Sequence, residues 1–299
     1  MNDPIQENVH ACAARLAELA RLEDLGPGDV TGRLLPGGER RAEFRLIARQ
    51  PMALAGRAVA DDILRAYDTS LMITWNHDAG DGTRVVASPR ELATVSGPLH
   101  ALLAAERVLL NFLQRLSGIA TLTRRFVDAV EGTGARILDT RKTTPGWRAL
   151  EKYAVRCGGG FNHRMGLYDA ILIKDNHLAG VPVERLAGFV FDLLNRPAER
   201  NPKPGLVEVE ADTLEQVERL ISVVGIDVIL LDNFPIDGLR QAVALRDELC
   251  PDRRVALEAS GGITLETVRA VAETGVERVS VGALTHSATA VDLALDRIM

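Results

Sequence analysis

"GLVEVEADTLEQVERLISVVGIDVILLDNF", residues 205–234, is the stretch that decides the fold class. Two short apolar runs, 206–210 and 227–232, flank a segment at 213–222 whose apolar residues recur at helical spacing. Strand, helix, strand over this length predicts two parallel strands joined by a crossover helix. The same alternation extends in both directions. Apolar runs stand at "ARILD" (135–139), "AILIK" (170–174), "VALEAS" (255–260) and "RVSVG" (278–282). Helical segments are expected at 117–131, 181–195, 235–249 and 264–273. An open doubly wound sheet would satisfy this pattern, but what ends each strand favours a β/α barrel.

The strand ends carry chemistry. In chain order they are Asp139-Thr140-Arg141-Lys142, Lys174-Asp175-Asn176, Glu210, Asp232-Asn233, Ser260-Gly261-Gly262 and Gly282. Polar groups at successive C-terminal strand ends are what the active face of a barrel requires. Glu210 and Asp232, on neighbouring strands, form a pair able to hold Mg²⁺, an ion that prefers oxygen ligands and shares them with phosphates. They would equally serve as ion-pair partners for Lys174 and Arg141. Glu208 shares a strand face with Glu210, so which of the two serves the metal stays open, Glu210 being nearer the strand end. The segments Ser260-Gly261-Gly262 and Ser280-Val281-Gly282 have the character of phosphate grips, because glycine lets main-chain N–H groups approach an anion.

Between residues 139 and 164 there are six Lys/Arg and two acids, in a chain of net charge −6. The overall charge argues against a general nucleic-acid or membrane-surface binder, so the local cluster points to a small anion. Arg141, Lys142, His163, Arg164 and Lys174 are its candidates, the arginines suited to carboxylates by their planar forks. Arg148, Lys152 and Arg156 fall at i, i+4, i+8 and are expected as one solvated helix face. His177 reads equally as a site residue or a loop cap; His10, His77 and His100 have no visible partner. Lys174 as a Schiff-base amine is the rival chemistry.

The first third reads as mixed α/β. A helix is expected at 8–23, stopped by "LGPGDV", with strands at "AEFRLIARQ" (42–50) and "SLMITWN" (70–76), a hairpin turn in "DAGDGTRVV" (78–86), and a helix at 99–116. The expected domains are 1–116 and 117–284, the tail 285–299 being free to pack back on the first. Three cysteines at unpaired spacing predict reduced thiols and a cytoplasmic protein. No secretory signal is expected at the N-terminus, and no stretch reaches the ~18–20 apolar residues of a membrane span.

"ERVLLNFLQRLSGIAT", "DTRKTTPGWRALEKYAVRCGGGFNHRMGLYDAILIKDNH", "VEVEADTLEQ", "ILLDNF", "EASGGI" and "SVGALTHS" resemble the quinolinate phosphoribosyltransferases, type II phosphoribosyltransferases of de novo NAD synthesis. The resemblance runs from about residue 19 to 292, and the block at 139–177 is its most specific part. It implies an N-terminal α/β sandwich domain with an incomplete six- or seven-stranded α/β barrel. It implies transfer of phosphoribosyl from phosphoribosyl pyrophosphate to quinolinate with decarboxylation, Mg²⁺ as cofactor, and a homodimer or higher oligomer with shared active sites. Arg107 would reach the neighbour's site. Arg141, His163 and Arg164 would bind quinolinate, with Lys142 and Lys174 beside them, and Thr140 would be a further substrate-binding residue. Glu210 and Asp232 would take the metal and ribose positions, and the two Ser/Gly segments the phosphates. Tyr168 departs from the small residue common there, and "NRPAERNPKPG" reads as a linker extension.

Overall fold

The structure, a computed structural model, describes residues 4–34, 36–196, 205–252 and 254–298, so most of the expected linker extension lies outside the described residues. The chain runs α1 (Pro4–Leu25), β1 (Arg41–Ala48), β2 (Met52–Ala53), α2 (Ala60–Arg65), β3 (Met72–Trp75), β4 (Arg84–Val85), β5 (Arg90–Pro98), α3 (Leu99–Ala129) and β6 (Arg136–Leu138). It continues through α4 (Arg148–Cys157), β7 (Ile171–Ile173), α5 (Asp175–Leu178), α6 (Val183–Leu194), β8 (Val207–Ala211), α7 (Leu214–Ile221), β9 (Val228–Asp232) and α8 (Ile236–Leu249). Last come β10 (Ala256–Ser260), α9 (Val268–Ala272), β11 (Arg278–Ser280), α10 (Ala283–His286) and β12 (Leu293–Arg297).

Two compact units form: Met1–Arg124 with Lys142–Gly160 and Leu284–Met299, and Arg125–Arg141 with Phe161–Ala283. This division falls at 124/125, not at the expected 116/117, and returns 142–160 to the first unit, and the two helices expected at 99–116 and 117–131 are the single helix α3. Leu102, Ala105, Leu109, Phe112, Leu113, Leu116 and Ile119 keep one buried stripe across the junction, and Gly118 serves close packing there instead of a stop, since a Cβ on it would stand 2.2 Å from the Thr289 carbonyl oxygen.

In the first unit an antiparallel sheet has the order β12-β1-β5-β3. The tail strand pairs Phe44 with Arg297 and Ala48 with Leu293. "DAGDGTRVV" does not close a hairpin with β3: β4 pairs instead with the two-residue β2, while β3 pairs with β5, a strand the sequence reading passed over. Gly158 lets the end of α4 meet α3, since a Cβ there would stand 2.5 Å from Cβ of Thr123.

The second unit holds a parallel six-stranded sheet in the order β6-β11-β10-β9-β8-β7. Its first strand in sequence pairs with its last, which requires the sheet to curl as a barrel does. A single-residue bridge between Leu138 and Phe161 continues beyond β6, giving the incomplete barrel that was expected. The crossover helices form where apolar spacing placed them. In α7, Thr213 and Gln216 make a reciprocal capping box, and Val217, Leu220 and Ile221 bury the inner face. No described helix is long and apolar enough to cross a membrane.

Candidate active site

Parallel register places residues of one face side by side across the sheet: Leu172 with Glu208, Glu210 with Leu230, Leu230 with Glu258, Asp232 with Ser260, Glu258 with Arg278, and Leu138 with Ser280. Side chains alternate along a strand, so Glu208, Glu210, Asp232, Glu258, Ser260, Arg278 and Ser280 share one face. Ser260 and Ser280 lie two residues nearer the strand ends than Glu258 and Arg278, and Glu210 two nearer than Glu208.

Glu208, Glu258 and Arg278 belong to a buried charge cluster. Glu208 and Glu258 are both 0% exposed. His163 Nε2 lies 2.9 Å from Glu208 and 3.5 Å from Glu258, and Arg278 Nε donates to Glu258 at 2.5 Å. Burial disfavours the imidazolium of His163, but the two carboxylates outweigh it and raise its pKa. The main-chain N–H of Arg164 donates to His163 Nδ1 at 2.8 Å and pulls the other way, because it needs a lone pair there. Burial, then the Glu208 charge, raises the pKa of Glu258. The segment carrying His163 is tied to the end of β6 by Asp139, whose carboxylate accepts from Asn162 Nδ2 at 2.6 Å and from the His163 N–H at 2.8 Å.

Arg141 and Arg164 stand near this cluster. Burial, then the charge of Arg141, lowers the pKa of Arg164, so the two cations stand close to one another. Nε of Arg141 is buried with no hydrogen-bond partner among the described residues. Nature rarely leaves a buried guanidinium N–H unpaired, and two cations this close to one another call for an anion. Thr140, half-buried, precedes Arg141.

At the mouth, Lys174 Nζ donates to Glu210 at 3.2 Å, so the expected ion pair exists. Carboxylate oxygens of Glu210, Asp212 and Asp232 lie within 4.8 Å of one another. Burial raises the pKa of Glu210 against the lowering by Lys174, and Asp232 adds to the rise. Burial, then Asp175 and Asp232, raises that of Asp212. Three hard oxygen donors carrying excess negative charge fit Mg²⁺. Asn233, at φ 55°, donates from Nδ2 to Asp232 at 2.7 Å and orients it.

Gly261 and Gly262 have φ of 92° and 61°, and a Cβ at Gly261 would strike Asn233 Oδ1 at 2.1 Å, so only glycine serves there. Ser260 is half-buried and Ser280 buried. Gly282 follows them at the end of β11. The Val281 N–H does not serve as a phosphate donor in this arrangement: it is committed to Leu138 O at 2.9 Å.

Arg107 and Lys142 belong to the first unit, both exposed. The helix α4 is not the solvated face expected: Lys152 is 1% exposed, and Arg148 is half-buried with Nε donating to Thr143 Oγ1 at 3.1 Å; Arg156 alone is exposed. His177 is a cap, its Nδ1 accepting from the Lys174 N–H at 2.8 Å. His10 and His100 have partners after all, Asp62 at 2.6 Å and the Gly38 carbonyl at 3.0 Å. Tyr168 is 78% exposed.

The family model for the C-terminal domain of quinolinate phosphoribosyl transferase matches residues 119–296, and that for the N-terminal domain residues 29–117. The chain belongs to the quinolinate phosphoribosyltransferase family. A Mycobacterium leprae protein named nicotinate-nucleotide pyrophosphorylase (carboxylating) is 45% identical over 280 residues, 92% of this chain and 93% of that protein. A Bacillus subtilis protein bearing that name with the qualifier "probable" is 41% identical over 275 residues, 92% of this chain and 90% of that one. The solved nicotinate-nucleotide pyrophosphorylase of Francisella tularensis superposes with a TM-score of 0.83 at 36% identity, covering 97% of each chain.

For a quinolinate phosphoribosyltransferase, the residues that sequence reasoning passed over are those that hold the others. Asp212, Glu258 and Arg278 were not singled out. Asp212 continues the alternation of Glu208 and Glu210, a signal the sequence does contain. Glu258 and Arg278 are inward positions of apolar strands, where an unexplained charge marks a buried partner.

Proposed function

We propose that the barrel mouth transfers the phosphoribosyl group of phosphoribosyl pyrophosphate to quinolinate and decarboxylates the product, yielding nicotinate mononucleotide, pyrophosphate and CO₂. The observation that carries this reading is the Arg141–Arg164 pair, with a buried unpaired Nε, in the same barrel as the Glu210–Asp212–Asp232 carboxylates. Quinolinate brings two carboxylates and the co-substrate brings phosphates, which must be neutralised before they are desolvated.

Arg141 and Arg164 grip the quinolinate carboxylates, and Thr140 and His163 complete that pocket. Lys142 and Lys174 neutralise the diphosphate. A Mg²⁺ held by Glu210 and Asp232, with Asp212 beside them, would neutralise the leaving pyrophosphate. The pyridine nitrogen attacks ribose C1 with inversion as the C1–O bond to pyrophosphate breaks. The side chains contribute chiefly by positioning, and Glu210 and Asp232 stabilise the positive charge that builds on the ribose. The ring nitrogen, now cationic, accepts the electron pair of the bond to the 2-carboxylate; CO₂ leaves and a proton takes its place at C2. The Ser260 and Ser280 segments, with Gly261, Gly262 and Gly282, hold the 5′-phosphate. A Schiff base at Lys174 is disfavoured, since that amine is half-exposed and ion-paired instead of desolvated in an apolar pocket.

The assembly we propose is a homodimer or higher oligomer in which Arg107 reaches the neighbouring site. Exposed Arg107, in a recess of ≈ 300 Å³ shared with Leu19 and Trp147, supports it, as does the 57% exposure of Leu19. Three free cysteines agree with a cytoplasmic setting. The test is CO₂ release from carboxyl-labelled quinolinate with phosphoribosyl pyrophosphate and Mg²⁺. Binding of both substrates without CO₂ release would overturn the reading in favour of a phosphosugar-binding regulator.

A further inference from the structure

The loop after β6, Lys142-Thr143-Thr144-Pro145-Gly146, is held at almost every residue by groups with no role in the reaction above. Thr285 Oγ1 donates to the Lys142 carbonyl at 2.7 Å. Arg148 Nε donates to Thr143 Oγ1. Glu151 accepts from the Thr144 N–H at 3.1 Å and from Thr144 Oγ1 at 2.9 Å. Cys12 Sγ donates to the Gly146 carbonyl at 3.3 Å.

Two of these groups are themselves locked. Thr285 and Glu151 are both 0% exposed. Arg115, on α3, bridges them: its Nη2 reaches Glu151 Oε1 at 2.8 Å and the Thr285 carbonyl, and its Nη1 donates to the Ala288 carbonyl at 2.9 Å. A buried ion pair of this kind adds little net stability, because desolvation offsets the attraction. What it does supply is a fixed geometry, since each partner is expensive to leave unsatisfied. The Lys142 side chain, in contrast, is exposed. The main chain that carries it is held at its own carbonyl, which fixes where the side chain starts.

We propose that Thr285, with the Arg115–Glu151 pair behind it, is a positioning residue that fixes the main chain of Lys142 so that its ammonium meets the diphosphate of the phosphoribosyl donor. The inference rests on the reading of Lys142 as a diphosphate-binding group. It assigns Thr285 no contact with substrate: the hydroxyl acts through Lys142. Displacement of a positioned group by about 1 Å can cost up to ~100-fold, so loss of one of several tethers is expected to cost on the order of tenfold.

The test is a double-mutant cycle on the full-length protein, read by calorimetric binding of inorganic pyrophosphate and of phosphoribosyl pyrophosphate with Mg²⁺. Thr285→Val removes the hydroxyl at constant shape and should weaken binding about tenfold with little change in Tm. Thr285→Ser, which retains the hydroxyl, should restore it. In a Lys142→Ala background, Thr285→Val should add no further loss. Should Thr285→Val not fold, Glu151→Gln carries the same cycle, because it breaks the ion pair to Arg115 while keeping an acceptor for Thr144. Additive losses, or no loss for either variant, would overturn the inference and leave Lys142 in its role. No loss for Lys142→Ala itself would overturn the role of Lys142 and the inference with it.

Discussion

Replacing Arg141 by lysine keeps a positive charge just beyond the end of β6 but removes the guanidinium fork. Without substrate, Nε of Arg141 has no partner among the described residues, so the exchange breaks no hydrogen bond at that atom in the free protein. Deleting an unsatisfied buried donor is not expected to destabilise, and Tm should hold or rise slightly. On the proposed reading the same atom faces a carboxylate once quinolinate is bound, and the variant forfeits one charge-assisted hydrogen bond. Such a bond is worth roughly 1.5–3 kcal/mol, which corresponds to a fall in kcat/KM for quinolinate of about 10- to 150-fold. The Michaelis constant for phosphoribosyl pyrophosphate should move little. Steady-state kinetics with thermal melts on both proteins decide the matter. A loss below about threefold would refute the carboxylate assignment. A large loss accompanied by a fall in Tm of many degrees would show that the fork serves the fold and not the substrate.

Mixing inactive Arg107→Ala with inactive Lys174→Ala protein should restore part of the CO₂-releasing activity through hybrid dimers carrying one intact site; no recovery, with subunit exchange verified, would place Arg107 in its own chain's site or in none. Asp232→Asn should raise the half-saturating Mg²⁺ concentration by about tenfold or more, and an unchanged metal titration would remove Asp232 from the metal site. Arg246, fully buried, donates to Asp247 at 2.7 Å, to Glu277 at 2.8 Å and to the Val255 carbonyl at 3.0 Å, away from the Ser260 end of β10. Arg246→Met should therefore lower the urea-unfolding free energy toward the lower end of ~3–5 kcal/mol, because Glu277 keeps some solvent, while kinetic constants at 25 °C stay unchanged; the reverse pattern would make it a site residue.

The parallel barrel was legible in residues 135–282 because its signals are local: short apolar runs, helical spacing between them, and polar groups where each run ends. Capping at Thr213 needs only neighbours in sequence. The same is true of the cluster from Asp139 to Arg164 and of the carboxylates at Glu210 and Asp232, which inherit their places from strand ends. β5 escaped because "RELATVSGP" has little apolar alternation of its own and becomes a strand only by pairing with β1 on one side and β3 on the other. α3 ran on past 116 because its buried stripe continues where composition suggests a pause.

The burial of Lys152 was not legible, and neither was the full tethering of the loop after β6, which draws on residues more than a hundred positions apart, such as Lys142 with Thr285 and Cys12 with Gly146. The cluster of His163 with Glu208, Glu258 and Arg278 joins four different segments through contacts 20 to 95 positions apart in sequence. A single sequence states which groups stand at the end of each strand. Which buried charges meet, and which main-chain N–H is already spent in the sheet, as Val281 is, depends on how the strands are registered around the barrel, and that is a property of the closed tertiary fold alone.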